Sequence, residues 1–287
     1  MSIHSTAIID PSARIAPTAE IGPWCIVGPE VSIGDGTVLQ SHVVVESHTR
    51  IGRQNRVFPF AYLGGTPQDK KFTGEKVWCE IGDRNLIREH VTVHRGTENG
   101  GGWTRIGSDN LIMGTVHVAH DCIVGNGCIL ANNVMLAGHS VVQDNANVGG
   151  GAGIHHFVVI GTCAFVGAMA RVSMDVPPFM IVEGNPAEVR GHNHIAMARR
   201  GFTETDIEAM KEAYKRLFRD RGGMLAEKIS GLMAKYPGVR SVEILVNAVN
   251  AQARGVHGRS LETQRLDAEK VSRIVKLGAK SYCFYSR

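Results

Sequence analysis

An aliphatic residue returns at every sixth position along most of this chain. Ile3, Ile9, Ile15, Ile21, Val27, Ile33, Leu39, Val45, Ile51, Val57 and Leu63 follow one another at that interval. The beat resumes at Ile81, Ile87 and Val93, slips by one, and continues through Ile106, Ile112, Val118, Val124, Leu130, Leu136, Val142, Val148, Ile154, Ile160, Val166 and Val172. A helix would repeat at roughly 3.6 and a half-buried strand at roughly 2, so a period of six predicts a repeat architecture instead. Glycine often follows the aliphatic position, as at Gly22, Gly28, Gly107 and Gly125, which suits a turn that needs positive φ or has no room for a Cβ. Each hexad then reads as a short strand plus a corner. Three hexads, ~18 residues, close one triangular coil whose aliphatic side chains point inward and stack on the next coil.

Two stretches interrupt the beat. Leu63 and Ile81 are 18 residues apart, which keeps the phase, whereas Val93 and Ile106 are 13 apart, which breaks it by one. Both interruptions are polar or glycine-rich and predict loops that protrude from the prism, at about 64–80 and 94–105. The repeat is expected to stop near Pro177-Pro178, which cannot donate to a ladder. Helical spacing follows. Thr203 reads as an N-cap with acids behind it, Ile207, Met210, Tyr214, Leu217 and Phe218 share one face, and further helices are predicted over about 224–236 and 242–254. The expected organisation is a mainly β domain over 1–190, an α-helical domain over 191–257, and a charged tail over 258–287 with no role assigned.

Composition refines this picture only in places. Gly numbers 34 of 287 residues, about 12% against the usual ~7%, and the repeat accounts for the excess. No apolar run approaches a membrane span, and the N-terminal stretch lacks the charged and apolar regions of a secretion signal, so a cytoplasmic protein is expected. The six cysteines include no C-x-x-C pair and read as reduced thiols. A net charge of +4 is too small to argue for nucleic acid. Basic residues do gather after the repeat, at Arg190, Arg199, Arg200, Lys211, Lys215, Arg216, Arg219 and Arg221, as a landing surface for an acidic partner or as a solvated helix face.

Candidate chemistry lies where polar residues enter the second half of the repeat. His117 and His120 stand in VHVAHD, His139 in LAGH, and His155 beside His156 in GIHHF. With 18 residues per coil, Gly138 falls over His120, His139 beside it, and His155 about two coils above, so distant histidines share a wall with Asp121. Two chemistries can use such a wall. A neutral imidazole can act as general base on a substrate hydroxyl, or three histidines can gather a zinc ion, as in β-helix carbonic anhydrases of the gamma class.

Longer motifs favour the first. GGTPQDKKFTGE, EIGDRNLIREHVTVHRGT, SDNLIM with HVAHDC, GNGCILANN and LAGH, then DVPPF, GNPA and RRGF, together resemble the UDP-N-acetylglucosamine acyltransferases of lipid A biosynthesis over roughly residues 1–257. The resemblance implies a left-handed parallel β-helix, a homotrimer with sites between subunits, and transfer of an (R)-3-hydroxyacyl chain from acyl carrier protein to the glucosamine 3-position, with no cofactor and no metal. It implies His120 as catalytic base, Asp121 as the residue that orients it, and the Gly138 N–H as the oxyanion donor. Sugar and pyrophosphate contacts carry over to Gln68, Asp69, Lys71, His117, His139 and His155, and the uridine or phosphate side to Asn193, Arg199 and Arg200. A long acyl chain needs an apolar groove between prisms, which Ala168 and Met169 are expected to help define. Arg199 and Arg200 are expected to open a helix, where a bound anion would offset the unfavourable dipole. Two positions depart from the family pattern: His156 where Gln is expected, and Ile195 where an acid is expected. The sequence before His117, MGT, leaves open whether the acceptor is the 3-hydroxyl or a 3-amino analogue.

Overall fold

The computed structural model describes residues 2–255 and 258–264. The chain winds as a three-sided parallel β-helix, whose faces are sheets of 11, 9 and 8 strands. Most strands are two residues long, and each pairs with the one a full coil later: Ser2–Ile3 with Glu20–Ile21, Ile8–Ile9 with Ile26–Val27, and Arg14–Ile15 with Ser32–Ile33. Aliphatic residues of the beat fall on the first, second and third face in strict rotation, and from Ile21 onward they are buried. A second inward position lies four residues after each of them and holds small side chains such as Ala19, Cys25, Ala61, Ala146 and Ala164. One aliphatic residue of the beat and one second inward residue per hexad, small in those coils, valine in others and asparagine at Asn55, Asn85 and Asn110, fill the triangular section.

The corners refine the expected role of glycine. Gly107, directly after Ile106, does not adopt positive φ; a Cβ there would lie 2.6 Å from the carbonyl oxygen of Gly125 in the next coil. Lack of room is therefore the reason for glycine after the aliphatic residue. The left-handed conformation falls two residues later and is adopted by ordinary side chains, including Trp24, His42, Asp121, His139 and Phe157, at φ of 59–63°. Between these two positions the backbone N–H does not enter the ladder, so proline is tolerated there, at Pro11, Pro17, Pro23, Pro29 and Pro59.

Buried amides mark the edge between the third and first faces. The Asn55 Oδ1 accepts from the backbone N–H of Asn85 at 2.9 Å, the Asn85 Oδ1 from that of Asn110 at 3.0 Å, and the Asn110 Oδ1 from that of Cys128 at 2.7 Å. Their side-chain amides donate to Gly82, Gly107 and Gly125 carbonyls. Buried polar atoms are thus satisfied as a continuous column.

Both loops leave from one edge. The chain departs the second face after Leu63 and again after Val93, and returns to the third face at strands Trp78–Ile81 and Trp103–Ile106. Trp78 and Trp103 stack there at 5.6 Å with the Arg50 guanidinium over both rings, packing the loop bases.

The ladder runs past the prolines. Strand Met180–Gly184 still pairs parallel with Phe165–Val166, then turns back antiparallel as Ala187–His192. The corner that shortens is the one before the prolines, since Ile154 pairs with Val172 but Ile160 bridges to Val176, and Pro177-Pro178 then occupy a corner of ordinary length without stopping the coil. Helices α1 (His194–Arg199), α2 (Glu204–Tyr214), α3 (Leu225–Lys235) and α4 (Arg240–Ala253) follow. Thr203 caps α2 with a reciprocal bond to Asp206, and Met210, Leu217, Leu232, Leu245 and Val249 form a second core with Phe179 and Met180. Arg199 and Arg200 close α1 rather than opening a helix, so the macrodipole favours them and no anion is needed to explain them. The five described cysteines are buried free thiols, while Cys283 and most of the predicted tail lie outside the described residues. No helix among the described residues is long and apolar enough to cross a membrane.

Replacing Asn85 by Ala removes one member of the amide column and strands the N–H of Asn110 and the carbonyl of Gly107. A loss of about 2–4 kcal/mol is expected in chemical denaturation; a change below about 0.5 kcal/mol would contradict the structural role given to the column.

Candidate active site

Everything chemically notable on the second–third edge lies in columns fixed by the coil. After Val118 the corner reads Ala119, His120, Asp121; after Leu136, Ala137, Gly138, His139; after Ile154, His155, His156, Phe157. Residues 18 apart share a column, so His120, Gly138 and His156 stack, as do Asp121, His139 and Phe157. His156, not His155, is therefore the histidine two coils above His120. His155 sits one residue earlier, in the column that also holds Ala119 and Ala137.

His120 and Asp121 form the most constrained pair. Nδ1 of His120 is 2.7 Å from Oδ2 of Asp121, whose side chain is 1% exposed. A carboxylate only accepts, so Nδ1–H donates and Nε2 keeps its lone pair. The second loop completes the pair: the backbone N–H and the hydroxyl of Thr97 donate to Oδ1 and Oδ2 of Asp121, each at 2.7 Å. From below, the hydroxyl of Thr104 accepts the Asp121 N–H at 2.8 Å. His139 meets His120 edge-on at 5.3 Å and stacks on Phe157 at 4.5 Å. Gly138 is required by close approach, since a Cβ would lie 2.6 Å from Cε1 of His120. Its N–H, at the corner position outside the ladder, has no acceptor among the described residues.

His120, Gly138, His139, Phe157 and Thr97 border a cavity of about 540 Å³ whose other wall is the first loop, Gln68, Asp69, Lys70 and Lys71, with Asn99 of the second loop; Asp121 is buried behind His120. Gln68 also borders a second, apolar groove of about 580 Å³ on the outer second face, lined by Met135, Leu136, Ala137, Ile154, Val172 and the two imidazoles His117 and His155. His117 is held by the Thr92 hydroxyl at 2.8 Å and lies edge-on to His94, whose Nδ1 meets the Thr66 carbonyl at 2.5 Å. Burial lowers the pKa of His94, His117 and His155 below the ordinary 6.5, which keeps the adjacent pair His94 and His117, and His155 beyond them, neutral at pH 7.

The remaining predicted residues lie elsewhere on the same subunit. Asn193 caps α1 and donates to the Cys163 carbonyl at 2.9 Å. Arg200 is exposed on the third–first edge near the carbonyl of Gly127. Ala168 and Met169 occupy the first–second edge, where Met169 is 76% exposed. One prism thus distributes the expected residues over all three edges, and only Gln68, Asp69, Lys71, His120, Gly138 and His139 converge on one cavity, with Asp121 buried behind His120 and His117 and His155 in the adjoining groove. Thr97, Asn99, Lys70, His156, Phe157 and Leu261 were not predicted. The column rule alone identifies His156 and Phe157; the contacts of Thr97 depend on a loop path that has no periodicity.

His120, Asp121 and His139 are close enough to hold a cation, but this set has two imidazoles, not three. Both Asp121 oxygens already accept from Thr97, and His120 spends Nδ1 on the same carboxylate. The donor set is turned inward rather than onto a shared centre.

Comparison with known proteins supplies the deciding observation. Residues 104–138 match the bacterial transferase hexapeptide model and residues 175–257 match the second domain of the UDP-N-acetylglucosamine O-acyltransferase model. An acyl-[acyl-carrier-protein]–UDP-N-acetylglucosamine O-acyltransferase of Paracidovorax citrulli is 50% identical over 259 residues, covering 89% of this chain and 98% of the relative. This chain belongs to that acyltransferase family. The counterpart of Verminephrobacter eiseniae is 48% identical over 189 residues, 66% of this chain and 71% of the relative. Among solved structures, the UDP-N-acetylglucosamine O-acyltransferase of Moraxella catarrhalis superposes with a TM-score of 0.83 at 43% identity, covering 87% of this chain and 97% of that one. The Francisella novicida UDP-N-acetylglucosamine acyltransferase gives 0.82 at 37% identity, over 86% and 91%. The fold is accordingly a left-handed parallel β-helix with a helical C-terminal part, and the protein is an acyltransferase rather than a zinc enzyme of the carbonic anhydrase type.

The depressed histidines carry a pH signature. The unfolded chain takes up protons near 6.5 while the folded chain resists, so their contribution to stability is full above that value and is lost as pH falls through it towards the lower folded pKa values. Melting temperature should drop between pH 7.5 and 5.5. In His94→Gln the drop should be smaller, and an unchanged drop would remove His94 from this account.

Proposed function

We propose that this enzyme transfers an (R)-3-hydroxyacyl chain from acyl carrier protein to the 3-hydroxyl of UDP-N-acetylglucosamine, the first step of lipid A biosynthesis, with His120 as general base. The observation that carries the mechanism is the 2.7 Å bond from His120 Nδ1 to a carboxylate buried under Thr97. It fixes the tautomer and leaves Nε2 as the basic atom beside the cavity. The relatives' names supply the substrates and specify O-acyl transfer, which favours the hydroxyl over a 3-amino acceptor.

The reaction needs no covalent enzyme intermediate. Nε2 of His120 takes the proton of the sugar hydroxyl as its oxygen attacks the thioester carbonyl. The N–H of Gly138 stabilises the oxyanion that forms, an interaction typically worth a few kcal/mol. Collapse expels the thiol of the carrier protein, which receives the proton from His120. Asp121 holds the imidazole in place and stabilises its positive charge between the two transfers. Gln68, Asp69, Lys71 and His139 bind sugar and pyrophosphate, for which lysine and imidazole N–H donors suit the phosphate oxygens. His117 and His155 flank the apolar groove, which receives the acyl chain and leads it across the second face towards Ala168 and Met169.

A homotrimer accounts for the residues that a single prism keeps apart. With three parallel prisms around one axis, the edge carrying His120 faces an edge of its neighbour, so Asn193, Arg199 and Arg200 can approach the uridine and phosphates bound next door. Exposed Arg190, Lys211, Lys215, Arg219 and Arg221 give acidic carrier protein a complementary surface. The substrates place the reaction in the cytoplasm. Residues 1–190 then form the catalytic β-helix and 191–257 the docking domain.

His120→Ala should fold and assemble as the wild type and lose on the order of 10²-fold or more in turnover of UDP-N-acetylglucosamine with acyl carrier protein. Near-wild-type kcat in that variant would falsify the assignment of the base. No loss of activity on dialysis against chelator is expected.

A further inference from the structure

We infer that the short segment Gly258–Gln264, beyond the helical domain, forms one wall of the acceptor cavity and that Arg259 is the residue that positions it, so that recognition of the UDP-sugar depends on Leu261. This inference rests on the functional reading above and extends it to residues to which that reading gives no role.

The segment is a single 3₁₀ stretch packed against the second–third edge. It is anchored by an arginine that is only 5% exposed. The backbone N–H of Arg259 donates to Oδ1 and Oδ2 of Asp175 at 3.1 and 3.2 Å. Its Nε donates to the Ser173 carbonyl and its Nη1 to the His156 carbonyl, both at 3.1 Å, and the guanidinium pairs with Glu262. Arg259 thus touches two successive coils, the one that carries His156 and Phe157 and the one above it. Asp175 also accepts the Val159 N–H at 2.8 Å. Burial raises its carboxyl to about 6, so it remains an acceptor at neutral pH. Gly258 adopts φ of 67°, and a Cβ there would lie 1.8 Å from Oδ2 of Asp175. Burying a charged pair costs desolvation that only good geometry offsets, and here the result is a fixed position for three following residues.

That position places Leu261 on the same cavity as His120, His139, His156 and Phe157, across from Gln68 and Lys71. Glu262, one residue on, lies 3.7 Å from Nε2 of His156. The cavity is the polar one; the apolar groove on the second face shares only Gln68 with it and does not include Leu261, so the ligand facing Leu261 is the acceptor and not the acyl chain. Leu261 and Phe157 are the apolar members of its lining, and together they suit the C–H face of a sugar ring whose hydroxyl reaches His120.

The test is steady-state kinetics of the full chain as wild type, Leu261→Ala, Arg259→Ala and Arg259→Lys, with UDP-N-acetylglucosamine and acyl carrier protein varied separately. Leu261→Ala removes three carbons that meet the ligand on one side only, about half of a full burial, which corresponds to about a five- to tenfold rise in KM for the UDP-sugar. Its kcat, its KM for acyl carrier protein and its melting temperature should stay at wild-type values. Arg259→Ala should raise the same KM at least as far, and Arg259→Lys should fall between, because an ammonium cannot reproduce the forked pair of bonds. A segment with only a structural role would move both KM values and the melting temperature together, which overturns the inference. So does an acceptor KM within twofold of wild type in Leu261→Ala, a substitution at the cavity face that decides the matter even if Arg259→Ala does not fold. Failure of the wild type itself to turn over UDP-N-acetylglucosamine overturns the functional reading and this inference with it, and is visible before any variant is compared.

Discussion

The parallel ladder between successive coils is the constraint on which the rest of this protein depends. Each backbone N–H and C=O on a face bonds to the residue one coil away, so the coils cannot slip without losing a whole row of bonds and turning aliphatic side chains outward. That rigidity converts sequence distance into position. A residue at a corner has its neighbour 18 positions on, and chemistry is assembled by choosing what stands in one column. The corners are also where the ladder leaves atoms free, because one N–H per corner lies outside it. Proline uses that position where nothing is needed, and Gly138 uses it where the proposed reaction needs a donor.

How much of this was legible follows from the same rule. The beat of six, the inward aliphatic residues and the positions of the two loops could be read because each is a periodic property or an interruption of one. The stacking of Gly138 over His120 is legible for the same reason, and so is that of His156, because two coils above His120 is His156, with His155 one column short of it. Arg199 and Arg200 were misread for a different cause: the N-cap of the preceding helix is Asn193, an amide in a segment without apolar periodicity, so α1 is invisible as an amphipathic pattern. Thr97 was missed because a loop has no period. Its hydroxyl and N–H reach Asp121 through a path that only the folded chain reveals.

The pair His120–Asp121 shows why an inserted loop belongs at this edge. A carboxylate 1% exposed at its side chain needs partners for both oxygens, and the prism alone offers His120 to one of them. Thr97 gives the others from the second loop. The loop therefore stabilises a buried charge and closes the cavity in one act, and the first loop, leaving from the same edge one coil earlier, supplies the facing wall. Function is concentrated where the regular architecture had to be broken to satisfy a polar group.

A solenoid with flat faces and convex edges offers only shallow concavity of its own, such as the groove on the second face, so a polar binding site must be built by additions. Here the additions are of three kinds: loops that rise beside the catalytic column, a neighbouring subunit in the trimer we propose, and the Arg259 segment returning to the same edge. The first two bring polar and charged groups. Only the third brings an aliphatic side chain to a cavity otherwise dominated by lysine, imidazole and amide, and it does so with a buried guanidinium fixing the geometry. A polar wall orients hydroxyls and phosphates but gives little net binding energy, since each contact replaces one with water. An apolar patch against the ring adds affinity without competing for those hydrogen bonds, and placing it on a clamped segment keeps it from collapsing into the cavity when no substrate is present.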